Sequence, residues 1–330
     1  MRVLLVKLRH IGDALLMTPT IQALKNANPG IAIDVVVRQG TEGILSGCSS
    51  IRKIYTTASP EKSKRSHMSW LDALRLQMKI RAEKYDVAIE LGNNQRGRTL
   101  VALSGAGKRC ANAHLYPIRW PLKPMLTHLG KSNWSLIHRV EADFLNAKDF
   151  MELPQQGAGT LVFEKDRTVA PPLEISTDKP LVIFHPVTRW KRKRWSDDHW
   201  VSAGRALISK NHQIIISVGP DPEEVALGLQ LAQAIGPGCT STEGKTNWNH
   251  LAWLLYHARL FVGVDTAAMH LAAATGCPTV ALFGPDSGAH NWSPWQTPHR
   301  IVHFNSDDAS TVHEVLTAAS HFLDLAPHNS

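Results

Sequence analysis

One segment near the C-terminal end, RLFVGVDTAAMHLAAATGCPTVALFGP, restricts the possible folds of this chain more than any other. Leu260–Val264 is an unbroken apolar run of strand length, which is typical of a parallel strand covered on both faces. The pattern then predicts a helix over Ala267–Thr275, ended by Gly276, and a second apolar strand over Thr279–Phe283. The segment is therefore predicted to be a β-loop-α-β unit.

The start of the predicted helix is suited to binding an anion. Small side chains at Ala267 and Ala268 leave its free N–H groups accessible to a phosphate. Asp265, at the carboxyl end of the strand, and His270, on the first helical turns, would face that ligand. The alternative is an ordinary α/β unit, in which Thr266 or Asp265 only caps the helix and the histidine is satisfied inside the protein.

The alternation of strands and helices occurs in both halves of the chain, and 330 residues suffice for two domains of ordinary size. Regularity is lost over 157–178, where we place the boundary. The predicted domains are residues 1–170 and 178–310, followed by a closing helix in 311–330. The fold class is therefore α/β, with two Rossmann-like, doubly wound domains that each contain a parallel sheet.

Composition indicates a globular protein with anionic partners. The formal charge is +8 and 43% of the residues are hydrophobic, but no apolar run reaches the roughly 18–20 residues of a membrane helix. The N-terminus is typical of a strand rather than a signal peptide. Four scattered cysteines without metal-ligand spacing favour reduced thiols in the cytoplasm. The charge favours nucleotides, nucleic acid, acidic saccharides or an anionic membrane, unless it only serves solubility.

Three further segments follow predicted strands, where ligands bind in open α/β sheets. Asp13, after the first strand, is placed to act as a general base or merely to cap a helix. The segment His185–Trp195 carries five basic side chains and the hydroxyl of Thr188, which suit a pyrophosphate; a nucleic acid is the alternative. Glu223 follows a later strand and can bind ribose hydroxyls or stabilise its helix dipole.

A second basic region includes a predicted amphipathic helix over Ser69–Ala82. Its basic residues are Lys62, Lys64, Arg65, His67, Arg75, Lys79, Arg81 and Lys84. Such charge is most often a solvated face. The alternative is a docking surface for an anionic acceptor or for the membrane.

Several motifs are absent from the sequence. There is no GxGxxG after the first strand, no Walker A sequence and no GxSxG elbow. No DxD-like carboxylate pair stands at a strand end, so we expect neither a metal-held diphosphate nor a bound cofactor. Lysines, arginines and a helix N-terminus would have to neutralise a leaving group instead.

The motifs MRVLLVKLRHIGDALLMTPTIQALK, HP…KRW and VDTAAMHLAAATGCPTVALFGP occur in that order. With them the chain resembles the ADP-heptose:lipopolysaccharide heptosyltransferases, which are inverting transferases of the GT-B fold, over nearly its whole length. The resemblance implies two Rossmann-like domains facing a central cleft. The segments FGPDSGAHNWSPW and RQGTEGILSGCSSIRKIY look most like the heptosyltransferase III branch, which adds the third heptose of the inner core.

The resemblance also implies a role for each candidate residue. Asp13 matches the catalytic base that deprotonates an acceptor hydroxyl, with Arg9 and His10 on the acceptor side. In the donor site, Glu223 would contact the ribose and Asp265 the sugar hydroxyls. The remaining donor-binding residues, around the diphosphate, are Thr188, Lys193, Thr266, Ala267, Ala268 and His270.

The sequence thus predicts a glycosyltransferase that moves L-glycero-D-manno-heptose from ADP-heptose onto a heptose of the lipopolysaccharide inner core. The alternatives are heptosyltransferase I or II acting on an earlier acceptor, or a noncatalytic nucleotide- or nucleic-acid-binding protein. The leading prediction has two partners, ADP-heptose and the lipid A-anchored core, and no nucleic acid. It places the protein in the cytoplasm, with a possible peripheral contact at the anionic inner face of the inner membrane.

Overall fold

The computed structural model describes residues 1–58, 70–114, 117–131, 133, 135–164, 169–285, 288–305, 308 and 310–324. The chain divides into two compact units, Met1–Glu164 and Lys165–Ser330. The strands of the first unit are β1 (Arg2–Lys7), β2 (Ala32–Arg38), β3 (Ile51–Thr57), β4 (Val87–Glu90), β5 (Lys108–Asn112) and β6 (His128–Gly130). Its helices are α1 (Ile11–Leu16), α2 (Thr18–Ala27), α3 (Trp70–Ala82), α4 (Gln95–Leu103) and α5 (Arg139–Lys148).

The second unit repeats this alternation. Its strands are β7 (Leu181–His185), β8 (Gln213–Ile216), β9 (Cys239–Ser241), β10 (Leu260–Val264), β11 (Thr279–Phe283) and β12 (His299–His303). Its helices are α6 (Asp197–Ser209), α7 (Pro222–Ile235), α8 (Trp248–His257), α9 (Ala267–Ala274), α10 (Ala289–Trp292) and α11 (Ser310–Leu323). A short 3₁₀ turn, Lys191–Lys193, follows β7.

Each unit contains one parallel six-stranded sheet, and the two sheets have equivalent strand orders. The first is β3-β2-β1-β4-β5-β6 and the second is β12-β11-β10-β7-β8-β9. Numbered within its own unit, each sheet has the order 3-2-1-4-5-6 of doubly wound dinucleotide-binding folds. The direction of winding reverses between β1 and β4 in the first sheet and between β7 and β10 in the second. The prediction of two Rossmann-like α/β domains is thereby confirmed.

The central strands explain why the sheets are parallel and covered on both faces. All residues of β10 and β11 are buried, as are all residues of β1 after its first position. Burying both faces of a strand requires helices on both sides, which the βαβ crossovers supply. In the second unit, Trp195, Trp200 and Phe184 fill the core beside these strands.

Several elements differ from the sequence prediction. The sequence pattern over Asn133–Lys148 predicts a helix, but the helix begins only at Arg139, where the imidazole of His138 accepts a hydrogen bond from the Val140 N–H (3.2 Å). The segment 112–132 is rich in proline, histidine, tryptophan and lysine, which predicts an irregular segment, but it includes β6. The predicted residues Lys62, Lys64, Arg65, His67 and Ser69, and those in 325–330, lie outside the described part of the chain.

Candidate active site

An ion pair joins two of the predicted donor-binding residues in the second unit. Asp265 directly follows β10, and Lys193 lies in the loop after the neighbouring strand β7. The Lys193 ammonium donates to the Asp265 carboxylate, with 19% and 8% of the two side chains exposed. The pair therefore lies where the winding of the second sheet reverses, which is the place at which such sheets bind ligands.

A buried tryptophan anchors the loop that carries Lys193. The Trp195 side chain is 1% exposed, its Nε1 donates to the Thr311 hydroxyl (3.1 Å), and its ring meets Trp200 edge-on at 5.0 Å. On the other side, a Cβ at Gly284 would lie 2.8 Å from the Arg192 carbonyl oxygen. The basic motif is thus held between a core anchor and a close backbone approach that requires glycine.

The N-terminus of α9 adjoins this ion pair in the chain. Thr266 occupies the N-cap position, but its hydroxyl makes no capping bond, contrary to the side-chain capping weighed for it from the sequence. Its buried Oγ1 has no hydrogen-bond partner among the described residues. Ala268 is buried with a side chain too small to cover the helix end, and His270, also buried, lies 6.5 Å from the ring of Trp292. Free N–H groups and a hydroxyl are therefore present together at this helix start.

The other two predicted donor-binding residues lie near the ends of neighbouring strands. Thr188 is buried after β7, and its hydroxyl accepts from the Trp190 N–H (3.3 Å). Glu223 is exposed in the first turn of α7, which follows β8. Its neighbour Glu224 instead accepts from the Gly219 N–H (2.9 Å), and burial raises the pKa of the Glu224 carboxyl. Glu223 is therefore the more accessible of the two carboxylates.

In the first unit, Asp13 belongs to a small group of charged side chains. It is 7% exposed in α1 and accepts from the His10 N–H (3.2 Å). Nearby, Lys7 at the end of β1 forms a buried ion pair with Asp143 on α5. Burial raises the pKa of Asp143 to about 6 against the lowering by Lys7, and the charge of Asp13 adds to the rise. A buried ion pair therefore lies close to Asp13.

A second buried carboxylate lies on the neighbouring strand of that sheet. Glu90, at the end of β4, is fully buried and accepts from the N–H groups of Asn93 (2.9 Å) and Asn94 (3.2 Å). Burial raises its pKa to about 7, partly offset by those bonds and by the charges of Arg98 and Arg9. Arg9 also donates to the Gly92 carbonyl (2.6 Å), so this predicted acceptor-side residue lies where the first sheet reverses. His10, the other, is exposed.

Sequence reasoning missed Lys7, Asp143 and Glu90. A lysine and a glutamate within otherwise apolar strands were the available signals, because a buried charge needs a partner or a raised pKa. It also missed a cavity of about 480 Å³ at the ends of β11 and β12. The cavity is lined by side chains that include Phe283, His290, His303 and Asn305.

The described residues offer neither a metal-binding cluster nor a membrane-spanning helix. No group of three or more His, Cys, Asp and Glu side chains within them is arranged to hold a metal ion. None of the helices they form is both long and apolar enough to cross a membrane.

Two parallel sheets in the order 3-2-1-4-5-6, with a lysine–aspartate pair beside a helix N-terminus, define an α/β protein of the dinucleotide-binding fold class. The sequence profile of glycosyltransferase family 9 (heptosyltransferase) matches residues 73–319 of the chain. The chain therefore belongs to glycosyltransferase family 9, and the resemblance inferred from its motifs is confirmed.

Individual relatives agree with this assignment. The chain is 29% identical to lipopolysaccharide heptosyltransferase 3 of Escherichia coli, over 91% of this chain and 88% of that protein. It is 25% identical to lipopolysaccharide heptosyltransferase 1 of E. coli strain K12, over 86% and 88% of the two chains. The structure of E. coli heptosyltransferase WaaC with ADP superposes with a TM-score of 0.78 at 22% identity, covering 98% of this chain and 99% of that one. Within the family, the likeness to type 3 enzymes is the stronger.

Proposed function

We propose that this chain transfers L-glycero-D-manno-heptose from ADP-heptose to a heptose of the lipopolysaccharide inner core, with inversion at the anomeric carbon, as a type 3 heptosyltransferase. The observation that carries the proposal is the Lys193–Asp265 ion pair at the reversal point of the second sheet. It combines with family membership and with the type 3 relative to favour this donor and acceptor.

The second unit would hold the donor. An ammonium has three N–H donors, so Lys193 can bind Asp265 and the diphosphate of ADP at once. The Asp265 carboxylate, whose Oδ2 faces Lys193, would also accept from a hydroxyl of the donor sugar. The N–H groups at Ala267 and Ala268 and the Thr266 hydroxyl would bind the phosphates, with His270 nearby. Thr188 and Glu223 complete the donor set, the latter on the ribose.

The charge that develops on departing ADP would be stabilised without a metal ion. Lys193 and the helix N-terminus are positive groups fixed before the reaction, so little reorganisation is needed as the bond to ADP breaks. The buried Trp195 anchor supports this role, because it limits the movement of the Lys193 loop.

The first unit would supply the base. As the acceptor oxygen attacks the anomeric carbon, its proton passes to the Asp13 carboxylate, and the bond from that carbon to the ADP oxygen breaks on the opposite side. Asp143 is already paired with Lys7, so the role of base is assigned to Asp13 rather than to that neighbouring carboxylate. Arg9 and His10 would bind the acceptor. Because that acceptor is anchored by lipid A, we place the enzyme in the cytoplasm, at the inner face of the inner membrane.

An acceptor panel tests this function. The purified protein is incubated with ADP-heptose and cores that carry no, one or two heptoses, and products are identified by mass spectrometry. We expect transfer to the core that already carries two heptoses. Transfer to an earlier core would instead assign type 1 or type 2 activity. Tight ADP binding without any transfer would contradict the enzymatic proposal.

The same assay tests the base with a matched variant. Asp13→Asn keeps the shape of the side chain but cannot take the proton, so we expect turnover to fall by at least about 10²-fold while ADP affinity changes little. Asp149→Asn, at the end of α5 in the same unit, is the control. Unchanged turnover in Asp13→Asn would overturn the assignment.

A further inference from the structure

Helix α3 has two apolar faces, and only one of them is used inside the first unit. Leu76 and Ile80 are buried in the core of that unit. The opposite side carries Trp70, Leu74 and Met78, which are 74%, 49% and 62% exposed. Their spacing of four residues places them in one stripe along the helix.

This stripe is the largest concentration of exposed apolar side chains on any described element. Leu71, 44% exposed, widens the stripe on the same outward side. Every other exposed large apolar side chain among the described residues is the only one on its helix, strand or loop. Single exposed apolar residues are normal on soluble proteins, whereas a contiguous apolar face usually marks an interaction site.

The charges on α3 indicate what the face contacts. Arg75, Lys79 and Arg81 are all exposed, and Lys84 follows just after the helix. The only acidic residue of α3 is Asp72, which pairs with Arg75 (3.0 Å). The helix therefore carries a net positive charge, and long basic side chains beside an apolar face can reach the head groups of lipids while their stems stay in apolar surroundings.

We propose that the stripe Trp70, Leu71, Leu74 and Met78, with Arg75 and Lys79, docks the enzyme on an anionic bilayer. A helix with this distribution lies in the plane of the interface, where tryptophan is favoured and basic residues attract anionic lipids. At 1.5 Å per residue, α3 is roughly 20 Å long, enough for all four apolar side chains to insert together. The inference rests on the proposed function, because only a lipid-anchored acceptor requires the enzyme to work at a bilayer.

A bilayer fits the stripe better than a second copy of the chain does. Four side chains on one helix cannot by themselves supply the roughly 800 Å² per partner that a stable protein interface buries. Two copies meeting through this stripe would also bring their Arg75, Lys79 and Arg81 charges together. A lipid surface needs no shape complementarity and is attracted by the same charges.

Vesicle binding tests the proposal with the full chain. Co-sedimentation is measured with vesicles of phosphatidylethanolamine and phosphatidylglycerol, and with vesicles of phosphatidylcholine alone. We expect clear preference for the anionic vesicles. The triple variant Trp70→Gln/Leu74→Gln/Met78→Gln should bind them at least tenfold more weakly, because it removes the inserted apolar groups. Leu229→Gln, an equally exposed leucine on α7, should bind as the wild type does.

The charges and the activity provide separate readouts. Arg75→Gln/Lys79→Gln should weaken binding to anionic vesicles and reduce its dependence on salt. With the acceptor in detergent, the triple variant should transfer heptose as fast as the wild type, whereas with the acceptor in vesicles its rate should fall. Because the substituted side chains are exposed, an unchanged circular dichroism spectrum and melting temperature are expected and confirm folding.

Three results would overturn the docking proposal. In the first, the triple variant binds vesicles as strongly as the wild type does. In the second, the wild type binds neutral and anionic vesicles equally. In the third, the wild type sediments as a dimer and the triple variant sediments as a monomer. If neither the wild type nor the triple variant transfers heptose to the acceptor in detergent, the proposed function fails. The vesicle measurements still decide whether the stripe binds lipid.

Discussion

At the scale of single residues, the ammonium of Lys193 carries the positive charge that faces Asp265. Replacing it with alanine removes a charge-assisted bond to the diphosphate and leaves the largely buried Asp265 carboxylate without this partner. We expect Lys193→Ala to weaken ADP binding by about 10- to 100-fold, since such bonds contribute roughly 1.5–3 kcal/mol. Calorimetric titration with ADP measures the change.

The control for Lys193→Ala is Lys210→Ala, which removes an exposed ammonium after α6. Its ADP affinity should equal that of the wild type. If Lys193→Ala also binds ADP normally, Lys193 does not hold the diphosphate, and the assignment of the donor site to this ion pair fails.

Glu90 gives a prediction about pH. Burial raises its pKa from 4.5 to about 7, so the folded protein binds this proton more tightly than the unfolded chain does between those values. Stability from this group is therefore fully present below about pH 4.5 and is lost as pH rises to about 7. A glutamine at this position does not titrate, so the stability of the Glu90→Gln variant lacks this dependence on pH. Glu90→Gln removes one hydrogen-bond acceptor and should lower the free energy of unfolding. That loss should be smaller at pH 8 than at pH 5, by on the order of 1–3 kcal/mol.

Urea unfolding at pH 5 and pH 8 measures this difference. Glu314→Gln, which changes an exposed carboxylate on α11, should show nearly the same small effect at both values of pH. A cost of Glu90→Gln that does not vary between pH 5 and pH 8 would mean that the buried carboxyl ionises as it does in the unfolded chain.

At the scale of elements, the sequence predicts best what the core specifies. The bounds of β10 and β11 follow from the sequence because both strands are buried runs in which Thr279 is the one polar residue, and because they are bounded by charged residues, glycine or proline. The edge strands β9 and β12 each bury a single residue, so no apolar run marks them. The predicted start of α5, at Asn133, was wrong for a related reason. Leu136 extends the apolar pattern of the sequence, but it lies before the helix and is 80% exposed.

Long-range pairing explains what was missed in the candidate site. Asp13, Lys193 and Asp265 follow strands, and strand ends can be located from local pattern alone. Lys7 and Asp143 are 136 positions apart, and nothing in the local pattern of α5 indicates that Asp143 faces β1. Likewise, the hydrogen bond between Trp195 and Thr311 joins the loop after β7 to α11, which is far away in the sequence. A sequence therefore predicts where a ligand binds more readily than which buried partners hold its contacts in place.

At the scale of the whole molecule, two units with the same strand order divide the proposed work between them. The donor contacts proposed here all come from the second unit, so ADP should stabilise that unit first. At a concentration about 100 times its Kd, a ligand that binds only the native state stabilises it by about 2.7 kcal/mol, which is roughly 100-fold in an opening equilibrium. We therefore expect ADP to slow hydrogen exchange most at the start of α9 and in the 188–193 loop.

Hydrogen exchange followed by mass spectrometry, with and without ADP, tests this division of work. At the same ADP concentration, which is only about 1 to 10 times its weakened Kd, Lys193→Ala should show a much smaller slowing, roughly 2- to 10-fold. Asp13→Asn should show all of it, since the base is not a donor contact in our proposal. Slowing that is greatest over residues 7–13, at the end of β1, would contradict the assignment, because the first unit would then hold the nucleotide. The result thus separates donor from acceptor roles even before the acceptor hydroxyl is known.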